Sequence, residues 1–136
     1  MAEGQDLVEQ AWLRGLPAET REKLFEFARA AGQGGLAAKT ISALKSDGRL
    51  FAAWCAEFDL PWLPAAPRTV ADFVADMAAA GRAPATVQRT LASIALWHSA
   101  AELANPCAPV LGKMARQAHQ RSDATRENQA APRGVR

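Results

Sequence analysis

The side chains that do covalent chemistry in proteins are thinly supplied in this sequence. Its 136 residues contain no tyrosine, two cysteines and two histidines. No GxSxG elbow, glycine-rich phosphate loop ending in lysine, HExxH pair or histidine set at ligand spacing occurs in it. Cys55 and Cys107 stand alone, with no CxxC partner, and read as small buried hydrophobes rather than as a disulfide or zinc ligands. His98 falls among apolar residues at helical spacing, the place of a hydrogen-bonded core histidine rather than a general base. His119 sits between Arg116, Gln117, Gln120 and Arg121, a polar setting. Asp72 and Asp76 lie one helical turn apart, as on an ordinary exposed face. No catalytic centre, metal site or cofactor site is expected.

What chemistry remains is electrostatic. Residues 1–80 carry eight basic and eleven acidic side chains, a balance of −3, whereas residues 81–136 carry eight and three, a balance of +5. A basic carboxy-terminal part suits a polyanionic partner. No apolar run approaches the roughly 18 residues of a membrane span, and the opening MAEGQDLVEQ lacks the apolar segment of a secretory signal. A cytoplasmic protein of bacterial or phage origin is the expectation, with no membrane partner and no small-molecule substrate.

The elements that position these residues read as helices throughout, because β-branched residues are scarce and alanine is abundant. A short, loosely attached helix is expected around Leu7, Val8, Ala11 and Trp12. A firmer one begins at Pro17, with Glu19 and Glu22 near its positive end and Leu24, Phe27, Ala28 and Ala31 on one face, closed by Gly32. The run GQGG at 32–35 reads as a flexible break. A long helix follows from Leu36 to Phe58, with Ile41, Leu44, Phe51 and Cys55 on one face and Leu50, Trp54 and Phe58 as a second stripe. Gly48 within it predicts a kink or a close approach. Leu60–Pro67 holds three prolines and reads as an ordered connector. Thr69 and Asp72 resemble a capping box ahead of the stripe Val70, Phe73, Val74 and Met77, which Gly81 ends. Pro84 starts a helix bearing Val87, Leu91, Ile94, His98 and Ala101, stopped by Asn105-Pro106. A last helix is expected from Pro109 to Gln120, carrying Val110, Leu111, Met114 and Ala118, and then a polar tail. The fold class is therefore all-α, a compact bundle of four to five helices.

Four stretches make the sequence more specific: Phe51-Ala52-Ala53-Trp54-Cys55; Trp62 through Pro67 followed by Thr69-Val70; Gly81 through Thr86-Val87; and Leu91 through His98. In this order and spacing, without a gap from Thr40 to Pro106, they resemble the core-binding domain of Cre-like tyrosine recombinases and phage integrases. The resemblance implies a SAM-like, integrase N-terminal fold forming one jaw of a clamp around double-stranded DNA. The other jaw is a catalytic domain holding the nucleophilic tyrosine. On this reading residues 1–35 are amino-terminal helices and hinge, 36–121 the core-binding domain, and 122–136 a linker in which Asn128 to Pro132 lead toward the catalytic domain. The chain is then expected to be an excised domain or truncated gene product, not an enzyme by itself.

The resemblance lays the helices starting near Leu36 and Pro84 across the major groove. It implies DNA-binding roles for Lys39, Thr40, Ser42, Lys45 and Arg49 on the first, for Arg82 ahead of the second, for Thr86, Gln88, Arg89, Thr90 and Ser93 on the second, and for Lys113, Arg116 and Arg121 on the last helix. Lysine and arginine there would neutralise phosphates, and Arg89 is the leading candidate for reading a guanine edge. Ala85 and Asn105 depart from the family, standing where Cre carries a lysine and an arginine. The helix from Pro17 to Ala31 is expected either to dock on other recombinase subunits on DNA, as the resemblance implies, or to pack within its own bundle. The competing readings are a protein-interaction bundle without DNA binding and, ranked below both, a helix-turn-helix regulator.

Overall fold

A computed structural model of the chain describes residues 11–114 and 116. A short 3-10 turn at Ala11–Leu13 precedes four α-helices: α1, Ala18–Ala30; α2, Ala38–Glu57; α3, Pro67–Ala79; and α4, Pro84–Ala100. A further helical stretch covers residues 108–114, and no strand occurs among the described residues. The all-α bundle expected from the sequence is thus the architecture observed. The expected segment around Leu7 and Val8, the end of the last helix at Ala118 to Gln120, Arg121 and the tail lie outside the described residues.

Prolines rather than side-chain caps mark the starts of α1, α3 and α4. Pro67 and Pro84 each occupy the first helical position, where the missing N–H costs nothing, after an extended Ala66 and Ala83. The expected Thr69–Asp72 capping box is not formed, because Pro67 starts α3 two residues earlier and leaves Thr69 buried inside its first turn. Asp72 instead faces Arg68 at 3.6 Å. The exit from α1 also differs from expectation. The coil runs on through Ala31–Gly35, and the residue in the left-handed region is Gly34, at φ 95°, rather than Gly32. A Cβ on Gly35 would lie 2.9 Å from the Ala30 carbonyl oxygen, so the GQGG run is a close-packed helix exit rather than an open hinge.

Two cores hold the bundle together. One gathers Phe51 and Cys55 of α2, Val70, Phe73 and Met77 of α3, and Val87, Leu91 and Ile94 of α4, with Cys107 and Val110 beneath. The other gathers Leu13, Leu24, Ala28 and Ala31 against Ile41 and Leu44 of α2 and Trp97 and Ala101 of α4. Each fully buried Leu, Ile or Phe contributes about 1.5–3 kcal/mol. The second core overturns one expectation and decides between two others. The segment around Trp12 is tightly attached, since Leu13 is buried and Trp12, Trp62 and Trp97 meet with ring centroids 5.2–5.6 Å apart. The apolar stripe of α1 packs within its own bundle, the second of the two arrangements its sequence allows, because Leu24 and Ala28 complete this core.

The connector from Leu60 to Pro67 is ordered, as its prolines predict, and contains a cis Leu63–Pro64 bond. His98 pins it. The Ala65 amide donates to His98 Nε2 at 2.9 Å, so the ring proton sits on Nδ1 and is donated to the Ile94 carbonyl at 2.8 Å. Burial pushes the His98 pKa below its usual 6.5, with the Ile94 hydrogen bond opposing in part. His98 is a core histidine with both nitrogens engaged, and no base is available from it. No helix among the described residues is long and apolar enough to cross a membrane.

Candidate nucleic-acid interface

The most extensive contact between helices is α2 against α4, and it is built from matched spacings. On α4, Arg89, Ser93 and Trp97 recur every fourth residue and therefore share one stripe. On α2 the opposing positions are Asp47, Gly48 and Leu44. Trp97 Nε1 donates to the Leu44 carbonyl at 2.9 Å, Ser93 Oγ donates to Asp47 Oδ2 at 2.6 Å, and Arg89 Nη2 donates to Asp47 Oδ1 at 2.8 Å. Gly48 admits the Trp97 ring, for a Cβ there would lie 2.5 Å from Nε1. The close approach foreseen at Gly48 is realised, and α2 runs through it as one helix.

Above this seam the two helices leave an open groove of about 640 Å³, lined by Lys39, Thr40, Ser42, Ser46, Arg89 and Ser93 among others. A second concavity, lined by α2 alone, shares Ser42 and Ser46 and continues along that helix past Lys45 and Arg49 to Ala53. The structure therefore brings together Lys39, Thr40, Ser42, Lys45, Arg49 and Arg89 of the expected residues. Lys39, Thr40, Ser42, Arg49 and Arg89 are exposed, and Lys45 is half-buried.

The other expected residues sit elsewhere. Gln88 is exposed and Thr86 half-buried on the first turns of α4, and Arg82 is exposed in the turn before it. None of the three lines the groove. Lys113 and Arg116 are exposed on the last helical stretch, and Arg121 lies outside the described residues. Thr90 requires correction: only 1% of it is exposed, and its hydroxyl is donated to the Thr86 carbonyl at 2.9 Å, so no face remains for a ligand. Ser93 is likewise buried, with its hydroxyl given to Asp47.

The residue that the polar-face argument missed is Asp47. It is 1% exposed, and both carboxylate oxygens are engaged from α4. Its signal was present in the sequence: it falls three residues after Leu44 and four before Phe51, within the apolar stripe of α2, where a carboxylate is expensive unless paired.

Charge is unevenly distributed. From residue 38 to 56 and along all of α4, the cations are Lys39, Lys45, Arg49 and Arg89, and the single carboxylate is the buried Asp47. Glu57 closes α2 at its carboxy-terminal end; Glu19, Glu22 and Glu26 on α1 alternate with Arg21, Lys23 and Arg29, and α3 bears Asp72 and Asp76, of which Asp76 Oδ2 accepts from Trp54 Nε1 at 2.8 Å. Among the described residues no group of three His, Cys, Asp or Glu could hold a metal ion. No protein-family model matches the chain, and no curated protein matches its sequence.

Proposed function

We propose that this chain binds double-stranded DNA as the core-binding half of a tyrosine site-specific recombinase or integrase, with the α2–α4 face against the duplex. The observation that carries the reading is the charge distribution just described: Lys39 and Arg89 line the groove between the two helices, Lys45 and Arg49 line the adjoining concavity of α2, and the carboxylate between them, Asp47, is buried. Such a face neutralises phosphates, while Thr40, Ser42 and Ser46 supply hydroxyls for phosphate oxygens. The sequence stretches that resemble Cre-like recombinases point the same way and assign the bundle a SAM-like, integrase N-terminal fold. The partners are duplex DNA and other recombinase subunits assembled on it, in a DNA recombination or integration process. The role is gripping, not cutting. Tyrosine-recombinase cleavage uses a tyrosine hydroxyl, and none of these 136 residues is a tyrosine.

A salt titration of duplex binding tests this. Neutralising four to six phosphates gives a slope of log K against log salt of about −4 to −5, at roughly −0.9 per phosphate. A flat titration, or no binding at low salt by the folded chain, overturns the DNA reading in favour of a protein-interaction bundle.

A further inference from the structure

Arg89 is held by Asp47, a buried carboxylate from the facing helix. We infer that Asp47 is a positioning residue that fixes the Arg89 guanidinium as a donor fork in the α2–α4 groove, where it takes a guanine base edge in preference to a phosphate. The inference rests on the DNA-binding reading and names what one residue of that site recognises.

Three observations support it. First, Asp47 is itself held on both oxygens, by Arg89 Nη2 at 2.8 Å and Ser93 Oγ at 2.6 Å, and only 2% of its side chain is exposed. It is a fixed anchor. The seam beneath it is equally fixed, by the fit of Trp97 over Gly48 and the indole bond to Leu44. Second, the Arg89 side chain is 59% exposed. The guanidinium carries five N–H donors in a planar fork, and the Asp47 contact engages Nη2, so the group is tethered at one end while its exposed part lines the groove.

Third, the pairing changes what the side chain has to offer. A carboxylate at 2.8 Å compensates the guanidinium charge, which weakens its pull on a phosphate and its share of counterion release. The tether also removes rotamer freedom before any ligand arrives, which favours a contact that depends on direction. The O6 and N7 acceptors of guanine in the major groove make such a contact, since they take two parallel N–H donors. Lys39, in the same groove, is a point charge without a fork and is suited to phosphate.

The test uses the full chain, a pool of randomised duplexes and sequencing of the bound fraction, with a salt titration for each variant. Circular dichroism checks that each variant is folded. The wild type is expected to enrich guanine at a fixed position. Arg89→Lys keeps the charge, so it should hold affinity within about threefold and lose the enrichment. Asp47→Asn releases the guanidinium with its charge uncompensated. It should lose the enrichment and steepen the salt slope by about 0.9, one more phosphate neutralised. If Asp47→Asn does not fold, Ser93→Ala takes its place: it removes one of the two bonds that fix Asp47, so the enrichment should weaken, while the carboxylate still compensates Arg89 and the salt slope should stay where it is. A purely structural ion pair would lower stability and leave both readouts where they were. Salt-dependent binding by the wild type without base preference, or enrichment unchanged in the Asp47 or Ser93 variant, overturns the fork and leaves the DNA reading standing. No binding by the folded wild type overturns both.

Discussion

Gly48 and Trp97 set how closely α2 and α4 approach, since a Cβ on Gly48 would lie 2.5 Å from the indole nitrogen and 3.0 Å from the Trp12 ring. Alanine in an open helix interior is better than glycine by about 1 kcal/mol. Here the added methyl has no space, and overpacking of this kind costs about 1–3 kcal/mol. Gly48→Ala is therefore expected to lower the urea midpoint. Gly15→Ala, with nothing within 4 Å of the new methyl, should leave it nearly unchanged. A rise in the midpoint for Gly48→Ala would show that α2 and α4 are not in contact as described.

His98 should give the fold a defined sensitivity to acid. Burial holds its folded-state pKa below the ordinary 6.5. As pH falls through 6.5 the unfolded chain takes up a proton that the folded chain refuses. The stability due to the neutral ring is thus complete above about pH 6.5 and is lost as pH falls toward the folded-state pKa. His98→Leu removes the acceptor for the Ala65 amide and is expected to cost about 1–3 kcal/mol at pH 8. The same substitution should flatten the fall in stability between pH 7 and pH 5. Urea titrations of both proteins at the two pH values decide it, and equal slopes would remove His98 as the source.

Both cysteines should be silent toward thiol reagents in the native state. Cys55 and Cys107 are fully buried, and burial pushes each thiol up to about 11. Little thiolate forms at pH 8, and no path leads to it. A disulfide reagent is expected to titrate no thiols in buffer and two in urea. Fast labelling in buffer would show that the first core opens readily.

Lys39 should act on all sequences alike. Lys39→Ala removes one phosphate contact, so the magnitude of the salt slope is expected to drop by about 0.9, with equal weakening on any duplex. A loss confined to particular sequences would transfer a reading role to Lys39.

The outline of this fold was legible from periodicity, and its joints were not. The stripes Val70, Phe73, Val74, Met77 and Val87, Leu91, Ile94, His98 face the core because one helical face must be buried. Gly81, at φ 83°, ends the third helix where a left-handed residue was needed. The position of α1 was not legible, because a stripe that can dock on a partner can equally fold back on its own bundle. The candidate site was legible in its exposed cations and illegible in its buried polar groups. Thr90 looked like part of a polar face until the α2–α4 packing covered it. The hold on Arg89 comes from a carboxylate 42 residues earlier in the chain, a distance no local pattern spans.

The three indoles of Trp12, Trp62 and Trp97 come from parts of the chain far apart in sequence and meet within 6 Å of one another. Chromophores that close share their excited states, so the trio should give an exciton-coupled circular dichroism band that exists only while all three segments are docked. Trp54 lies in the other core region, bonded to Asp76 and tilted against Phe58. Replacing it with phenylalanine leaves that band untouched while removing its own emission. The molecule thus carries an optical gauge of whether its amino-terminal turn is seated, readable without a label.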